Sequence, residues 1–398
     1  MSAQRRLLFF SPMLAMPSQH GGCVYPNALL TEIHRQGIAI DYAWLGKPLV
    51  NGRRWMRDPL TATYVSTGWV RGTTKLRSMR IPSTLRGWLG EKSPDAQQEN
   101  GGEHTATSDE QAFAASTIRR LRPHHVLIDS TPMLTLLDTL TPGERARLHV
   151  SVLTHNLTWR RAELYRTAGQ PLDFLPMTPA EEAALLARAD TVVAIQDREA
   201  EAFRAMLPGK NVITVPMPFA PQPQPWATAI PGRCLFVGGY SGHNIEAVKW
   251  LVSEIWPRVI AQYPGAELII AGTVGKSLKE SPPGVRVLGP VDDLKAEYAK
   301  TSACLVPLPL GTGLKIKLVE AMSYGRPVIT TPAGAEGFNE IEDGQVAIVA
   351  NDVATFADAV LQTLRAPNEA VARSTRQLEW LANNLNARAV LRPLTDLI

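Results

Sequence analysis

The chain has 398 residues, 45% of them hydrophobic and 20% charged, and a formal net charge of +4. That length exceeds a single core and predicts two domains of ordinary globular composition. The mild positive excess suits an anionic ligand or an anionic membrane surface but is too weak to argue for nucleic acid, and no aromatic-interleaved basic run or zinc-finger spacing supports a nucleic-acid binder, so none is expected.

In chain order, "RLLFFSP" reads as a buried first strand. Arg5, Arg6 and "LLFFSPMLA" imitate a signal peptide, but Ser11-Pro12 cuts the apolar run short and a strand accounts for it better. A loop, "MLAMPSQHGG", precedes a helix through "NALLTEIHRQ" that Gly37 ends, and a second strand, "IAIDYAWL". The strands "HVLIDS", "LHVSVLTH" and "DTVVAIQ" come later; Asp197 is placed to cap the helix "REAEAFRAML", and "NVITVP" closes the half. Short apolar strands alternating with amphipathic helices imply a parallel sheet covered on both faces. From Trp69 to Gly90 the chain carries Arg71, Lys75, Arg77, Arg80 and Arg86, no acid, and Trp69 and Trp88. That composition suits a peripheral membrane contact, and equally a solvated loop or helix face. No stretch is long and apolar enough to span a bilayer.

Residues 216–231, "PMPFAPQPQPWATAIP", are proline-dense and read as a semi-rigid linker. The strand–helix pattern then restarts at "RCLFVGG", with one long helix through "NIEAVKWLVSEIWPRVIAQY". The expected architecture is α/β: two Rossmann-like, doubly wound parallel-sheet domains facing a cleft, 1–218 and 231–379, with ligands at the carboxyl ends of the strands. Cys23, Cys234 and Cys304 match neither a metal site nor a disulfide framework, so buried thiols in a reducing cytoplasm are expected. "AGTVGKS" ends like a P-loop, but Ile270 stands where that motif needs glycine. Neither a nucleophile elbow nor a zinc-protease motif is present, and no metal is expected.

One stretch breaks a local rule. In "PLGTGLKIKLVEAMSYGRPVITT" a helix is expected over about 314–324, with Lys315 and Lys317 in its first turn. That is the positive end of the helix dipole, where an anion is welcome and cations are not. A phosphate held there resolves the conflict. The amides of Gly313 and Leu314 would hold a diphosphate, Lys315 or Lys317 would neutralise it, and Glu320 would accept from ribose hydroxyls. The competing reading is a solvated amphipathic helix whose lysines snorkel.

The segments "LFVGGYSGHNIEAVKWLVSEIWPRV" and "VRVLGPVDDLKAEYAKTSACLVPLPLGTGLKIKLVEAMSYGRPVITTPAGAEGF", in that order, resemble glycosyltransferase family 4 (group 1), retaining enzymes of GT-B fold. The likeness is dense over 234–338; in the first half only "QHGG", "LTHN" and "ARADTVVAIQDREAEAF" agree. It implies an acceptor-binding first domain, a second domain for a nucleoside diphosphate sugar (UDP or GDP), no cofactor, and terminal helices at 380–398 crossing back onto the first domain. By the same resemblance Glu320 binds ribose, Gly313 and Leu314 the diphosphate, Lys317 a phosphate, and Val291 the nucleobase through its main chain. Gly239 and Asn244 in "GGYSGHN" complete the donor set, and Gly21 and Gly22 resemble the family's glycine loop. His155 is the catalytic candidate near the donor sugar, with no protein nucleophile, and His20 and Asn156 are acceptor-side candidates.

Two departures stand out. The family commonly carries a second glutamate where this chain has Thr312, and the usual phosphate-binding arginine has no match, which leaves Lys315 as its substitute. The expected activity is retaining, metal-independent hexosyl transfer to a glycan or lipid-linked glycan, in the cytoplasm and at the inner membrane face. The alternatives are a GT-B sugar-nucleotide epimerase, for which Asp129 is the one carboxylate in view, and an inactive nucleotide-binding partner subunit.

Overall fold

The computed structural model describes residues 5–12, 21–45, 53–57, 64–70, 73–78, 104–172, 174–291, 293–310, 313 and 315–398. Two compact units divide the chain: Met1–Ala162, Leu172–Met217 and Leu391–Ile398 form one, Glu163–Pro171 and Pro218–Val390 the other.

The chain begins with β1 (Arg6–Ser11), α1 (Gly21–Arg35) and β2 (Ala39–Trp44), then β3 (Arg53–Arg57), β4 (Tyr64–Val70) and β5 (Thr73–Ser78). It continues through α2 (Ser108–Leu121), β6 (His125–Asp129), α3 (Pro142–Arg145), β7 (His149–Leu153), α4 (Thr158–Thr167), α5 (Pro179–Leu186), β8 (Thr191–Ala194), α6 (Asp197–Met206) and β9 (Asn211–Thr214). Six of these strands form one parallel sheet in the order β2-β1-β6-β7-β8-β9. Leu7, Leu8, Phe9 and Phe10 are all buried, as a strand covered on both faces requires. Helix starts follow local chemistry: capping boxes pair Thr107 with Glu110, Thr141 with Glu144 and Thr178 with Glu181. Gly37 ends α1 in the left-handed region, with φ +85°.

Three sequence expectations shift here. Gly21 and Gly22 form the first turn of α1 instead of a loop. Gln196, not Asp197, is the cap of α6; Asp197 is the first helical residue, where its charge still meets the positive helix end. The tryptophan-flanked basic segment is neither loop nor helix where it is described. β3, β4 and β5 form an antiparallel sheet, with Lys75 and Arg77 on β5 opposite Gly68 and Ser66. Arg71, Arg80, Arg86 and Trp88 lie outside the described residues.

The second unit repeats the design with β10 (Arg233–Val237), α7 (Gly242–Trp250), α8 (Trp256–Gln262), β11 (Glu267–Ala271), β12 (Val285–Gly289), α9 (Leu294–Ala299) and β13 (Ala303–Val306). α10 (Ile316–Ser323), β14 (Val328–Thr330), α11 (Pro332–Ala335), α12 (Asn339–Glu342), β15 (Ile348–Val349) and α13 (Val353–Arg365) follow, then α14 (Pro367–Asn384) and α15 (Ala387–Thr395). Its strands order as β12-β11-β10-β13-β14-β15, all parallel. The single helix expected over 244–263 is two helices joined by a π turn, Leu251–Ile255. Pro257 lacks an N–H, and the wider turn ahead of it absorbs the lost bond.

The proline-dense stretch is pinned along the second unit: Gln222 N–H donates to Ser323 O at 2.7 Å and Gln224 N–H to Tyr324 O at 3.0 Å. At the other end of the chain, Leu391 and Leu394 are buried in the first unit, and the Leu397 carbonyl lies 3.2 Å from His125 Nδ1. No helix among the described residues is long and apolar enough to cross a membrane.

Two backbones touch just past the carboxyl ends of β10 and β11. Gly272 has φ +98°, and a Cβ there would sit 2.2 Å from the Gly238 carbonyl. Gly272→Ala should therefore cost about 2–4 kcal/mol from strain plus overlap, read as a lower urea midpoint with unchanged slope.

Candidate functional site

In the second unit the loops after β10, β11 and β13 converge at the carboxyl edge, where doubly wound sheets bind ligands. α10 starts after Lys315, two residues later than expected, and no side chain caps it. Its first amides are thus unsatisfied by any cap, the arrangement that favours an anion. Lys315 is buried and turns its Nζ onto the Gly313 carbonyl at 2.6 Å, with Gly313 at φ +72°. Leu314, Gly311 and Thr312 lie outside the described residues.

Lys317 crosses to β10. Its ammonium meets Asn244 Oδ1 and lies 5.0 Å from the Phe236 ring centroid. Asn244 is buried near the start of α7, and its Nδ2 donates to Gly239 O at 2.9 Å. Burial holds the Lys317 pKa down to about 7; Lys315 pushes the same way and Glu320 opposes. Glu320, one turn on, accepts from Tyr298 Oη at 3.0 Å. Burial raises its pKa, while the Tyr298 hydrogen bond and Lys317 pull it down. Gly239 is exposed, with the Thr273 hydroxyl 4.0 Å from where a Cβ would sit, and Val291 follows β12, half-buried against the core. An amide-rich helix start, a lysine close to neutrality and a carboxylate thus share one edge, a set suited to a diphosphate and vicinal hydroxyls.

A second constellation sits at the carboxyl edge of the first sheet. Asp129 ends β6 fully buried; Ser11 Oγ donates to its Oδ2 at 2.6 Å, and His155 Nε2 lies 2.7 Å from its Oδ1. Tyr25 stands edge-on to His155, centroids 6.1 Å apart, and its hydroxyl donates to the Val215 carbonyl. Ser130, next to Asp129, is a non-glycine residue at φ +82°, the kind of outlier that accumulates at functional sites. Gln196 is buried with neither amide atom hydrogen-bonded among the described residues. Asn156 follows His155 half-buried, Gly21 and Gly22 open α1, and His20 lies outside the described residues. The sequence reading singled out His155 but not the Ser11–Asp129 pair that anchors it, nor Tyr298 or Gln196. Ser11 and Asp129 end strands and Gln196 follows one, which was their available signal, whereas Tyr298 lies on α9 and carried none. No group of three or more His, Cys, Asp or Glu residues suited to a metal occurs among the described residues.

Residues 231–366 match the family model of glycosyl transferases group 1. A 44.6 kDa protein encoded in the cps region of Klebsiella pneumoniae is 27% identical over 139 residues, 32% of this chain and 36% of that protein. The match therefore spans about a third of the curated relative. Among solved structures, TarM superposes with TM-score 0.69 at 9% identity over 100% of this chain and 99% of its own. Sucrose-phosphate synthase from Thermosynechococcus elongatus gives 0.67 at 16% identity over 99% and 98%. A variant of S. aureus TarM is solved with fondaparinux, alpha-GlcNAc-glycerol and UDP. The chain has the two-domain α/β fold of GT-B glycosyltransferases.

The Lys317 pKa lies below that of an unfolded lysine, so folding carries a cost that is full below about pH 7 and fades as pH rises toward the ordinary lysine range. Lys317→Met removes that cost. The stability difference, variant minus wild type, should be more favourable at about pH 6 than at about pH 10, by on the order of 1–3 kcal/mol in denaturant titrations.

Proposed function

We propose that the chain is a retaining glycosyltransferase that moves a hexose-type sugar from a UDP- or GDP-linked donor to a hydroxyl of a glycan or lipid-linked glycan. The observation that carries this reading is the α10 edge: uncapped helix amides, Lys317 held on Asn244, and Glu320 one turn further. The group 1 domain over the same residues supports it, as does the UDP in the TarM complex.

In the proposed reaction the bond from the anomeric carbon to the donor's distal phosphate oxygen breaks. The negative charge left on the diphosphate is met by the α10 amides and by Lys317, charge stabilisation that calls for no metal. Glu320 holds the ribose and Val291 the base. The acceptor hydroxyl attacks the oxocarbenium-like carbon from the face the phosphate leaves, and its proton passes to that phosphate. His155, oriented by buried Asp129, is assigned to the sugar hydroxyls, with Gln196 and Asn156 on the acceptor side. The same reading places the protein in the cytoplasm, with segment 69–90 as its strip for the anionic inner membrane face.

Thermal stabilisation by UDP, GDP and ADP tests the donor site. One of UDP or GDP, far above its dissociation constant, should add about 3 kcal/mol of apparent stability, and Glu320→Ala should lose most of it. No response to any nucleotide would sink the reading. A second outcome follows from the depressed lysine: the incoming diphosphate recharges Lys317, so binding at about pH 8 should take up close to ~1 proton. Calorimetry in buffers of different ionisation enthalpy measures that uptake, and Lys317→Met should abolish it.

A further inference from the structure

We propose that Tyr298 is a positioning residue for Glu320, fixing one carboxylate oxygen so that the other is left for the ribose hydroxyls of a bound nucleotide. The inference rests on the donor-site reading of Glu320 given above and adds a residue to it. Tyr298 is 1% exposed, and its hydroxyl donates to Glu320 Oε2 at 3.0 Å. Among the described residues Glu320 Oε1 accepts no hydrogen bond, and it is not one of the buried atoms left without a partner. One oxygen is therefore occupied by the fold and the other is available.

A buried phenol is an unusual choice for a packing role, because its oxygen must find a partner or cost free energy. Phenylalanine would fill the same space. Here the surroundings hold the ring where its hydroxyl must point at Glu320. Tyr324 stacks on it, centroids 4.6 Å apart and planes at 23°. The buried guanidinium of Arg326 takes the Tyr298 carbonyl from Nε at 2.8 Å and the Ala299 carbonyl from Nη2 at 2.8 Å. Asp293 caps the start of α9, and Arg233 binds Glu297 at 3.0 Å. α9 is thus fixed from both ends and one side.

The hydroxyl also acts on charge. Burial favours the protonated Glu320, and a protonated acid is a poorer acceptor for a ribose hydroxyl; the Tyr298 hydrogen bond works against that protonation. Loss of the hydroxyl frees the carboxylate to rotate and makes it easier to protonate. Both effects fall on the ribose contact, not on the diphosphate.

The test is calorimetric titration of wild type, Tyr298→Phe, Glu320→Ala and the double variant with UDP, 2′-deoxy-UDP and 3′-deoxy-UDP, using the guanosine set if GDP is the nucleotide that stabilises. Wild type should prefer the ribonucleotide over at least one deoxy form by about tenfold, the value of one lost hydrogen bond to a charged group. Tyr298→Phe should bring that ratio to within about threefold and move the acid limb of UDP binding to higher pH. In the Glu320→Ala background the same change should leave the ratio where it is, since the two residues act as one unit. A Tyr298→Phe variant that keeps the wild-type preference overturns the proposal while leaving Glu320 at the ribose. A wild type that binds UDP without any ribose preference, unaltered by Glu320→Ala, overturns the donor-site reading of Glu320 and this inference with it.

Discussion

An ammonium group removed from water needs a partner, and the donor edge of the second unit is arranged around that need. Among the described residues Lys317 finds only an amide oxygen, Asn244 Oδ1, and the face of Phe236. Neither carries a full negative charge. Glu320 lies within electrostatic reach, but one of its two oxygens is engaged by Tyr298. The result is a lysine poised near neutrality beside a helix start whose amides no side chain satisfies. Both groups are short of the same thing, an anion, and the glycines around them let backbone approach it.

Much of this was legible in advance because the physics is local. Two lysines at the positive end of a helix contradict the dipole, and that contradiction needs no tertiary structure to be seen. The alternation of apolar strands with helices is likewise a one-dimensional pattern. What sequence could not show is which partner each charged group would find. Lys317 and Asn244 are 73 residues apart, Tyr298 and Glu320 22, Ser11 and Asp129 118. Ser11 and Asp129 meet because β1 and β6 lie side by side in parallel, while the other two pairs bring together residues of different helices packed on the second sheet. Lys315, the expected stand-in for an arginine, turns instead onto the carbonyl of Gly313 in its own loop, a contact set by the φ of that glycine.

Boundaries moved for equally specific reasons. Gln196 displaced Asp197 as cap because the extended residue is the one before the first helical turn, whatever its capping strength. A long helix became two with a π turn because Pro257 offers no N–H. In the first unit, the one carboxylate in view for the epimerase alternative is committed: Asp129 shares its two oxygens between Ser11 and His155, which makes it a holder of the histidine and a poor candidate for acid–base work on a substrate carbon.

Arg326 carries a different kind of consequence. Its guanidinium is fully buried and binds the backbone carbonyls of Tyr298, Ala299 and Pro225, with the Trp226 ring 4.9 Å away. Among the described residues every hydrogen bond it makes is to main chain, and a guanidinium keeps its charge in proteins. The three contacted residues are therefore chemically anonymous to it. The hydrogen bonds leave their side chains free to drift, provided the backbone path is kept, while the whole information content of the strap resides at a single position.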